Sequence, residues 1–463
     1  MIKLSKITTT IGPTSQSEER IEALYKAGTN MFRMNFSHDT QEVQGAKIDN
    51  VRKISKKLGR PMAVLADLQG PKHRIGDFKD GQISGINKKY PLKVGQKFIL
   101  DSDPTPGDEN RVHMPDPDVL KSIKVGDRVL VNDGKIELKV VSKKKDDSAI
   151  ETEVIRGNEI WDRRGFNLPD TEIKMSVLTK KDRSDLDYAL TKNPDFVAIS
   201  FVQKAEDVIE AREYITARTK RPIKIISKLE RPQVVGERLE AIVEASDVIM
   251  VARGDLAVEM PFELVPAAQR RMIRLCRAKN KPVIVATQML GSMEKQLFPT
   301  RAEVSDIATA GYLFTDSTMT SEETSMGEYP VETTAAMGRI LKATEDDILE
   351  NDLDESDGDV MNDANSKFDT IIGYAESEDV AAVVSLDEDG EQTRKLSARR
   401  SYLPIISISS EDIIANQLCL SRGVFPVVGE SYNDALKWPE VIKKGDKVAV
   451  VSGNGDKISI KVL

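Results

Sequence analysis

Short runs of apolar and β-branched residues alternate with longer amphipathic stretches along most of the chain. Eight of these runs are strand candidates: KITTTI, TNMFRMN, PMAVLAD, DFVAISF, IKIISK, SDVIMVA, KPVIVAT and the weaker TDSTMTS. Strands that alternate with helices are typical of parallel sheets covered by helices. Eight such units predict an α/β fold with a closed (β/α)8 TIM barrel, and an open doubly wound sheet is the alternative.

The helical pattern is interrupted between His73 and Asp170, where Gly, Pro and Asp turns separate β-like runs such as QKFIL, DRVLV, KIELKVV and TEVI. We interpret residues 73–170 as an inserted all-β lid domain, because it follows the third barrel strand. The catalytic barrel is then discontinuous and comprises residues 1–72 and 171–344. The runs AAVVSL, PIISIS, VFPVV, KVAVVSG and ISIKVL predict a C-terminal α/β domain over residues 345–463.

The C-terminal domain is preceded by an acidic segment, EDDILENDLDESDGDVMNDAN, which begins at Glu345. Its charge and lack of aromatic residues are typical of a solvated helix end or a linker.

Composition limits the classes of function. The net charge of −8 argues against nucleic acid as the main partner, because binding to phosphate backbones needs a cationic surface. The two cysteines, Cys276 and Cys419, lie far apart in sequence, so neither a disulfide framework nor a thiolate metal site is expected. The chain has no signal-peptide pattern and no apolar run of membrane-spanning length, which predicts a soluble, cytoplasmic protein without a membrane partner.

Polar residues follow the predicted barrel strands in series, where the active site of such a barrel lies. They are Arg33, Asn35 and Ser37 after the second strand, Asp67 after the third, Lys228 and Glu230 after the fifth, Arg253, Gly254 and Asp255 after the sixth, Thr287 after the seventh, and Ser321 after the eighth.

Glu230 and Asp255 have no histidine or cysteine near them in sequence, which favours a hard cation such as Mg2+ or Mn2+ over zinc. Lys228 and Arg33 add positive charge, and Gly254 lies at a helix start where backbone N–H groups are free to meet an anion. Each short pattern alone is more often a salt bridge or a helix cap. Together they predict a pocket for a phosphorylated or dicarboxylic anion and metal-assisted phosphoryl transfer.

The chain resembles the pyruvate kinase family along nearly its whole length. The matching stretches are TTIGPTS, FRMNFSHD, ADLQGPKHRIG, NDGKIEL, RRGFNLP, IISKLE, IMVARGDLAVE, KPVIVATQML, PTRAEVSDIA and SEETSMGEYP. The resemblance implies a homotetrameric enzyme of glycolysis that transfers a phosphoryl group from phosphoenolpyruvate to ADP, giving pyruvate and ATP with a divalent metal. It also implies a barrel with a β lid and a C-terminal α/β domain.

The resemblance carries roles to matching positions. Lys228 corresponds to the lysine that neutralises the transferred phosphoryl group, Arg33 to a phosphate-binding arginine, and Glu230 and Asp255 to the metal ligands. The positions that correspond to the site of the substrate carboxylate are Ala252, Arg253, Gly254, Asp255 and Thr287, and those for proton transfer are Thr287 and Ser321. The positions that correspond to nucleotide contacts are Asn35, His38, Arg74, Asp133 and Arg164. Arg301 and Glu303 correspond to residues of subunit contacts.

Two departures from the family pattern concern ions and effectors. Many members bind K+ at positions corresponding to Asn35, Ser37, Asp67 and Leu68. In those members the position of Leu68 is usually Thr, and the position of Lys72 is Glu. We expect the Lys72 ammonium to supply that charge, as in the potassium-independent branch, with a solvated loop lysine as the alternative. The stretch from Asp387 to Gln392 carries four carboxylates where the family's effector loop lies, which predicts no activation by fructose 1,6-bisphosphate.

Two other functions were considered. One is a different metal-dependent barrel enzyme that uses phosphoenolpyruvate or a 2-oxoacid, which would lack the inserted and terminal domains. The other is a catalytically silent paralogue, which would have lost Lys228, Glu230, Asp255 or Thr287, and all four are present.

Overall fold

A computed structural model of the chain describes residues 2–79, 82–83, 86–173, 176–351 and 367–463. Its centre is a closed barrel of eight parallel strands in the order β1-β8-β7-β6-β5-β4-β3-β2. The strands are β1 Lys6–Thr10, β2 Met31–Asn35, β3 Ala63–Asp67, β4 Phe196–Ile199, β5 Lys224–Leu229, β6 Val248–Ala252, β7 Val283–Ala286 and β8 Ser317–Thr320. The prediction of a (β/α)8 barrel is confirmed, and each strand lies within one of the eight predicted runs except β5, which extends one residue beyond its run to Leu229.

Helices cover the barrel on its outside, so most strand residues are buried on both faces. The main covering helices are Glu18–Lys26, Gln41–Leu58, Lys180–Thr191, Ala205–Thr216, Leu239–Ala245, Val265–Ala278, Arg301–Tyr312 and Pro330–Asn351. Two short helices, Arg253–Glu259 and Glu322–Ser325, directly follow β6 and β8 at the carboxyl end of the barrel.

A strand-rich unit interrupts the barrel between β3 and β4. Its main sheet has six strands in the order Phe166–Asn167, Arg128–Val131, Ile136–Lys143, Ala149–Arg156, Lys97–Asp101 and Arg111–His113, and one short helix, Pro117–Ser122, accompanies it. Shorter strands lie at Gln82–Ile83, Ile86–Asn87, Tyr90–Pro91 and Glu159–Ile160. This unit has its own apolar core, which confirms the prediction of a separate strand-rich insertion.

The C-terminal unit is a five-stranded sheet in the order Val424–Val428, Ile405–Ser409, Ala382–Leu386, Lys447–Ser452 and Lys457–Val462, in which only the last strand is antiparallel. Helices Lys367–Ser377, Glu391–Ala398 and Asp412–Leu418 accompany it. The predicted start at residue 345 lies inside helix Pro330–Asn351. Within the part of the chain described, no helix is long and apolar enough to cross a bilayer.

The acidic segment is not solvated at its beginning. Glu345 is 1% exposed, and its carboxylate accepts hydrogen bonds from the backbone N–H groups of Leu4 (2.8 Å) and Ser5 (2.6 Å). The segment does begin at a helix end, as one of the two interpretations had it, but the expected solvation was wrong for Glu345, because this carboxylate satisfies buried donors ahead of β1. Residues 352–366 of the same segment lie outside the described part of the chain.

Candidate active site

Lys228 lies near the carboxyl end of β5 and is the centre of a buried polar cluster. Its ammonium donates a hydrogen bond to the hydroxyl oxygen of Ser200 at 2.8 Å and lies 3.0 Å from Glu230 Oε1 and 3.5 Å from Asp67 Oδ1. Lys228 and Glu230 are two residues apart, so the alternation of a strand places them on the same side of the chain. This geometry explains why a lysine and a glutamate end an otherwise apolar strand.

The electrostatics keep Lys228 charged. Burial disfavours the charged form of Lys228 and so lowers its pKa. The carboxylates of Asp67 and Glu230 outweigh that effect and raise the pKa of Lys228 above its ordinary value. A permanently protonated lysine can neutralise a phosphoryl group, but it cannot act as a base near neutral pH.

Arg33 joins the same cluster from the end of β2. Its Nε donates to Asp67 Oδ2 at 2.6 Å and its Nη1 to the Thr10 hydroxyl at 3.0 Å. Asp67 is 1% exposed, and its Oδ1 has no hydrogen-bond donor within the described residues. Arg33 and Lys228 therefore present two cations that share one buried carboxylate, an arrangement suited to an anionic ligand.

Glu230 and Asp255 form the acidic side of the site. The Glu230 carboxylate accepts the Phe201 N–H at 2.7 Å, and Asp255 lies in the first turn of helix Arg253–Glu259. Burial raises the pKa of Glu230, and the nearby charge of Asp255 raises it further, against the effect of Lys228. Two carboxylates that repel one another fit a divalent cation. Because no group of three or more metal-binding side chains occurs within the described residues, water or substrate oxygens would complete its shell.

Thr287 adopts a backbone conformation that is uncommon for its residue type. Its φ is +73°, and that of the next residue, Gln288, is +52°. Left-handed backbone at a β-branched residue costs about 1–3 kcal/mol and is concentrated at functional sites. The Thr287 hydroxyl oxygen accepts the Gly254 N–H at 2.8 Å. The prediction that this N–H is free to meet an anion was wrong, because Thr287 already occupies it.

The side chain of Arg253 contacts Asp306 and the chain that follows β7. Its guanidinium lies 2.6 Å from the carboxylate of Asp306, and it donates to the Thr287 carbonyl at 2.7 Å. The structure thus places Arg253 as a support for the backbone after β7. The preceding residue, Ala252, is the last residue of β6 and is buried.

Ser321 is buried at the carboxyl end of β8, where its N–H donates to Glu323 Oε2 at 2.6 Å. No hydrogen bond joins its hydroxyl to Thr287 within the described residues. The expected proton-transfer role of this pair stays a prediction.

The predicted nucleotide residues Arg74 and Arg164 lie together at the root of the inserted unit. Arg74 donates to the Arg163 carbonyl at 3.0 Å, and the backbone of Arg74 pairs with that of Gly165. The Arg164 guanidinium lies 5.1 Å from the centre of the Trp161 ring. Both guanidinium groups therefore contact other residues of the insertion.

Asn35 is the partly buried last residue of β2, whereas Ser37, His38 and Asp133 occupy exposed turns. Asn35 Oδ1 accepts the Ser37 N–H at 3.1 Å, and both Ser37 and His38 are exposed. Asp133 is exposed in a left-handed turn, with φ of +52°, whose following glycine faces Val258 of helix Arg253–Glu259.

Leu68 and Lys72 lie on the segment that leaves β3. Leu68 is buried, and its carbonyl accepts the Ser200 hydroxyl at 2.8 Å. Lys72 lines the cleft between barrel and insertion that also contains Asp255. Within the described residues, the Lys72 ammonium has neither an ion pair nor a hydrogen bond.

Sequence reasoning missed two residues that organise the site. Ser200 accepts the Lys228 hydrogen bond and directly follows β4. The sequence signal that could have identified it is a polar residue at the end of a predicted barrel strand. Arg231 donates to the carbonyls of Leu168 (2.9 Å) and Thr171 (3.1 Å) and to Glu259 (3.2 Å), so it connects the barrel to the chain returning from the insertion. No local pattern marks these contacts, because they join segments about 30 to 60 residues apart.

Comparison with known families agrees with this architecture. The family model for the pyruvate kinase barrel domain matches residues 2–334, and the model for the pyruvate kinase alpha/beta domain matches residues 369–461. Together they include the barrel, its insertion and the C-terminal sheet, which argues against a barrel enzyme that lacks the additional units.

Individual proteins are similar over almost the full length. A pyruvate kinase of Methylorubrum extorquens is 37% identical, covering 97% of this chain and 94% of its own length. One of Geobacillus stearothermophilus is 36% identical, covering 98% of this chain and 78% of its own length. A crystal structure of a pyruvate kinase from Cryptosporidium parvum superposes with a TM-score of 0.91 at 31% identity and covers 99% of this chain and 96% of that one. The chain belongs to the pyruvate kinase family, whose members are phosphotransferases.

Proposed function

We propose that this enzyme transfers the phosphoryl group of phosphoenolpyruvate to ADP, giving pyruvate and ATP. The observation that carries the proposal is the buried cluster at the carboxyl end of β5, where Lys228 lies within 3.5 Å of both Asp67 and Glu230. Phosphoryl transfer depends mainly on positioning and charge neutralisation rather than on a protein nucleophile. Fixed cations in a site shielded from water meet that requirement.

Each residue of the cluster has a separate role in this proposal. Lys228 and Arg33 hold the phosphoryl group and neutralise the charge that it carries during transfer. Glu230 and Asp255 would bind Mg2+ or Mn2+, which supplies further charge neutralisation when bound. The Thr287 hydroxyl lies beside the start of helix Arg253–Glu259, where it would orient the substrate carboxylate and lie on the path of the proton that reaches the enolate carbon, with Ser321 further along that path.

We assign the second substrate to the boundary between barrel and insertion. Arg74 and Arg164 present cations at the root of the insertion, as expected for a site that takes a nucleoside diphosphate. In this proposal Asn35, at the end of β2, and His38 and Asp133, on exposed turns, also contact the nucleotide. Closing the insertion over the barrel would exclude water from the transferred group.

A coupled assay of pyruvate formation tests the proposal. With phosphoenolpyruvate, ADP and Mg2+, the protein should form pyruvate, and removal of the divalent ion with a chelator should lower turnover by about a hundredfold or more, because one charge-stabilising contact is worth about that factor. Restoring Mg2+ should restore turnover. The absence of pyruvate under all metal conditions would contradict the proposed reaction.

The C-terminal sheet has a cavity of about 800 Å³ at the carboxyl ends of its strands. The loop from Asp387 borders it, but the structure corrects the number of carboxylates involved. Asp387 accepts the N–H groups of Gly390 (3.0 Å) and Thr393 (2.6 Å), and Glu391 pairs with Arg394 at 2.6 Å. Glu388 and Asp389 thus remain as the exposed acids of the loop.

The exposed carboxylates of Glu388 and Asp389 are still unfavourable for a bisphosphate, although Asp389 Oδ1 accepts the Glu391 N–H at 2.8 Å. We therefore expect fructose 1,6-bisphosphate to change the half-saturating concentration of phosphoenolpyruvate by less than about twofold, since like charges repel at close range. Initial rates measured across a phosphoenolpyruvate titration, with and without the sugar, provide the measurement. A clear shift towards lower substrate concentrations would contradict this prediction.

The homotetramer is the assembly we propose, supported by apolar side chains exposed around the carboxyl half of the barrel. They are Phe262, Leu264, Leu297, Phe298, Val304 and Met326, and Phe298 is 72% exposed. Exposed apolar groups of this size often mark subunit contacts. Glu303, predicted as a contact residue, accepts the N–H of Thr300, the N-cap of its helix, at 2.7 Å and that of Ser292 at 2.7 Å, and its subunit contact stays a prediction.

Phe298→Glu should dissociate the tetramer into smaller species in sedimentation velocity, because it would bury a charge in an apolar contact. Val94, equally 72% exposed but in the inserted unit, gives a matched control. Val94→Glu should leave the sedimentation coefficient unchanged. A wild-type chain that sediments as a monomer would refute the proposed assembly.

A further inference from the structure

A cavity of about 200 Å³ lies at the end of the barrel opposite the active site. The amino-terminal ends of β4, β5 and β6 and the segment before β7 form one wall, and the C-terminal unit forms the other. Five cationic side chains line it: Lys224, Lys279, Lys281, Arg394 and Lys395. The carboxylates in the lining are Asp247 and Glu391, which leaves an excess of three positive charges in a chain of net charge −8.

Two of these cations have carboxylate partners in the lining. Lys224 lies 3.2 Å from Asp247, and Arg394 lies 2.6 Å from Glu391. These pairs account for both carboxylates of the cavity wall.

Lys279 is paired outside the lining, with Glu240 at 2.6 Å and Glu244 at 2.7 Å. These contacts neutralise its ammonium on the side facing away from the cavity wall. Lys224, Arg394 and Lys279 therefore each have a carboxylate partner, and Lys281 and Lys395 are the two remaining cations of the lining.

Lys281 and Lys395 have no carboxylate within ion-pair distance in the described part of the chain. The Lys281 ammonium donates to the carbonyls of Ser246 (2.7 Å) and Glu244 (3.2 Å), which leaves one of its three protons for another acceptor. Lys395 has only the ring of Phe368 near it, at 5.7 Å. Burial lowers the pKa of Lys281, and Lys224 and Arg212 lower it further against Asp247, so the ammonium is held at an electrostatic cost.

The two lysines belong to different structural units. Lys281 immediately precedes β7 of the barrel, and Lys395 lies in helix Glu391–Ala398 of the C-terminal unit. A dianion between them would satisfy both charges and connect the two units. A second cationic contact across the same boundary, from Arg399 to the Asn280 side chain at 2.7 Å, indicates that the cavity walls are already held together.

We propose that this cavity is a binding site for a small phosphomonoester, separate from the active site. Lysines bind phosphate as point charges, and a phosphate dianion can accept from several ammonium groups at once. The volume suits a phosphate group with a body of a few carbon atoms but excludes a dinucleotide. The site is distinct from the C-terminal cavity bordered by Asp387, because the two cavities share no lining residue.

Hydrogen–deuterium exchange with glycerol 3-phosphate as the probe tests the proposal, because it localises binding and separates this cavity from phosphate bound at Lys228. In the full-length enzyme the probe should slow exchange in peptides containing residues 279–282 and 391–398. Calorimetry on Lys281→Met/Lys395→Met should show the affinity of this event reduced about tenfold per lysine removed, the value expected for a charge-assisted hydrogen bond.

Lys444→Met is the matched control, since Lys444 is exposed on a turn of the C-terminal unit outside the cavity. It should keep the protection and the affinity. Turnover of the double variant should stay within about twofold of wild type because its lysines are remote from the reaction. If it fails to fold, Lys395→Gln alone should show the weaker binding.

Three outcomes would overturn the assignment. They are no protection in the wild-type enzyme, equal protection in the lysine variants, and equal affinity for malonate, which would remove the preference for phosphate. None of these readouts depends on the identity of the reaction at Lys228, so failure here is distinguishable from failure of the proposed function.

Discussion

Replacing Lys228 with methionine should lower kcat by about a thousandfold, because the lost charge acts on the phosphoryl group during transfer and a single such contact is worth about 10²–10³ in rate. Burial in this cluster makes the ammonium more effective than a surface charge, since water screens it weakly. Methionine keeps much of the length and volume of the lysine side chain. Steady-state rates in the coupled assay, with phosphoenolpyruvate varied at saturating Mg2+, give the comparison.

The same substitution should leave divalent-metal binding intact. Lys228 lies 3.0 Å from Glu230 Oε1 and competes with a metal for that carboxylate. Mn2+ binding measured by electron paramagnetic resonance should therefore be as tight as in wild type, or tighter. A variant that loses turnover and Mn2+ binding together would assign Lys228 a structural role rather than a catalytic one.

Stability provides a second readout for this variant. Without Lys228 the buried Asp67 and Glu230 carboxylates lose a partner, and removal of one member of a buried ion pair costs about 3 kcal/mol. The midpoint of thermal unfolding should fall in metal-free buffer and recover when Mn2+ binds. In the wild-type protein, Mn2+ should raise the midpoint of thermal unfolding by less than it does in the variant.

Ser200→Ala is the matched control for the cluster. It removes the acceptor of the Lys228 hydrogen bond at 2.8 Å but keeps the ammonium and both carboxylates. We expect a loss of about tenfold, the value of one hydrogen bond to a charged group. A loss as large as that of Lys228→Met would show that catalysis depends on the position of the ammonium rather than on its charge.

The strand pattern predicted much of the fold and of this cluster, for a physical reason. In a closed parallel barrel the carboxyl ends of all strands meet at one face, so residues following β2, β3 and β5 converge whatever their separation in sequence. Arg33, Asp67 and Lys228 could therefore be assigned to one site. The insertion was equally evident, because its runs alternate with period two and no helical period separates them.

Side-chain directions could not be predicted in the same way. Arg253 is at the expected strand end, but Asp306, on a helix about fifty residues later, attracts its guanidinium. The Gly254 N–H is occupied because Thr287 adopts left-handed backbone, which is disfavoured for a β-branched residue. Such contacts depend on tertiary packing, which overrides local patterns.

The loop at Asp387 is a further example. Four carboxylates in sequence were counted as one charged surface, but Asp387 caps a helix and Glu391 points to a different cavity. A carboxylate at a helix start satisfies backbone donors as readily as it repels anions. Charge counts along a loop are therefore upper limits on the charge that a ligand meets.

The K+ requirement is the remaining proposal with a large expected effect, and we propose that the enzyme works without this ion. Of the positions that the family resemblance assigns to K+ binding, Leu68 lacks a ligand atom and the others have partners within the protein. Leu68 has an apolar side chain that is buried, and Asn35 Oδ1 already accepts the Ser37 N–H at 3.1 Å. Asp67 is engaged by Arg33 at 2.6 Å.

In this proposal Lys72 supplies the missing charge. It lines the cleft that contains Asp255, and its ammonium has no partner within the described residues. The turn that carries it is anchored, because the Gly70 N–H donates to Asp182 Oδ1 at 3.0 Å and the Lys72 N–H to the Gly70 carbonyl at 2.8 Å. A lysine on a fixed turn loses less entropy on binding an anion than one on a mobile loop.

We therefore expect wild-type turnover to change by less than about twofold between K+-free and K+-containing buffers of equal ionic strength, because screening is then the same in both. The double variant Lys72→Glu/Leu68→Thr replaces the ammonium with a carboxylate and supplies a hydroxyl ligand. Its turnover in K+-free buffer should fall by about a hundredfold, since an attractive charge near the phosphate becomes a repulsive one.

Adding K+ to the double variant should restore much of that loss, whereas adding tetramethylammonium, which is too large for a site built of close oxygen ligands, should not. Lys93→Glu makes the same charge change at an exposed lysine of the insertion, outside the cleft, and should leave both the rate and its indifference to K+ unaltered. If K+ strongly activates the wild-type enzyme, Lys72 does not replace the ion, and it is then a solvated lysine on an anchored turn.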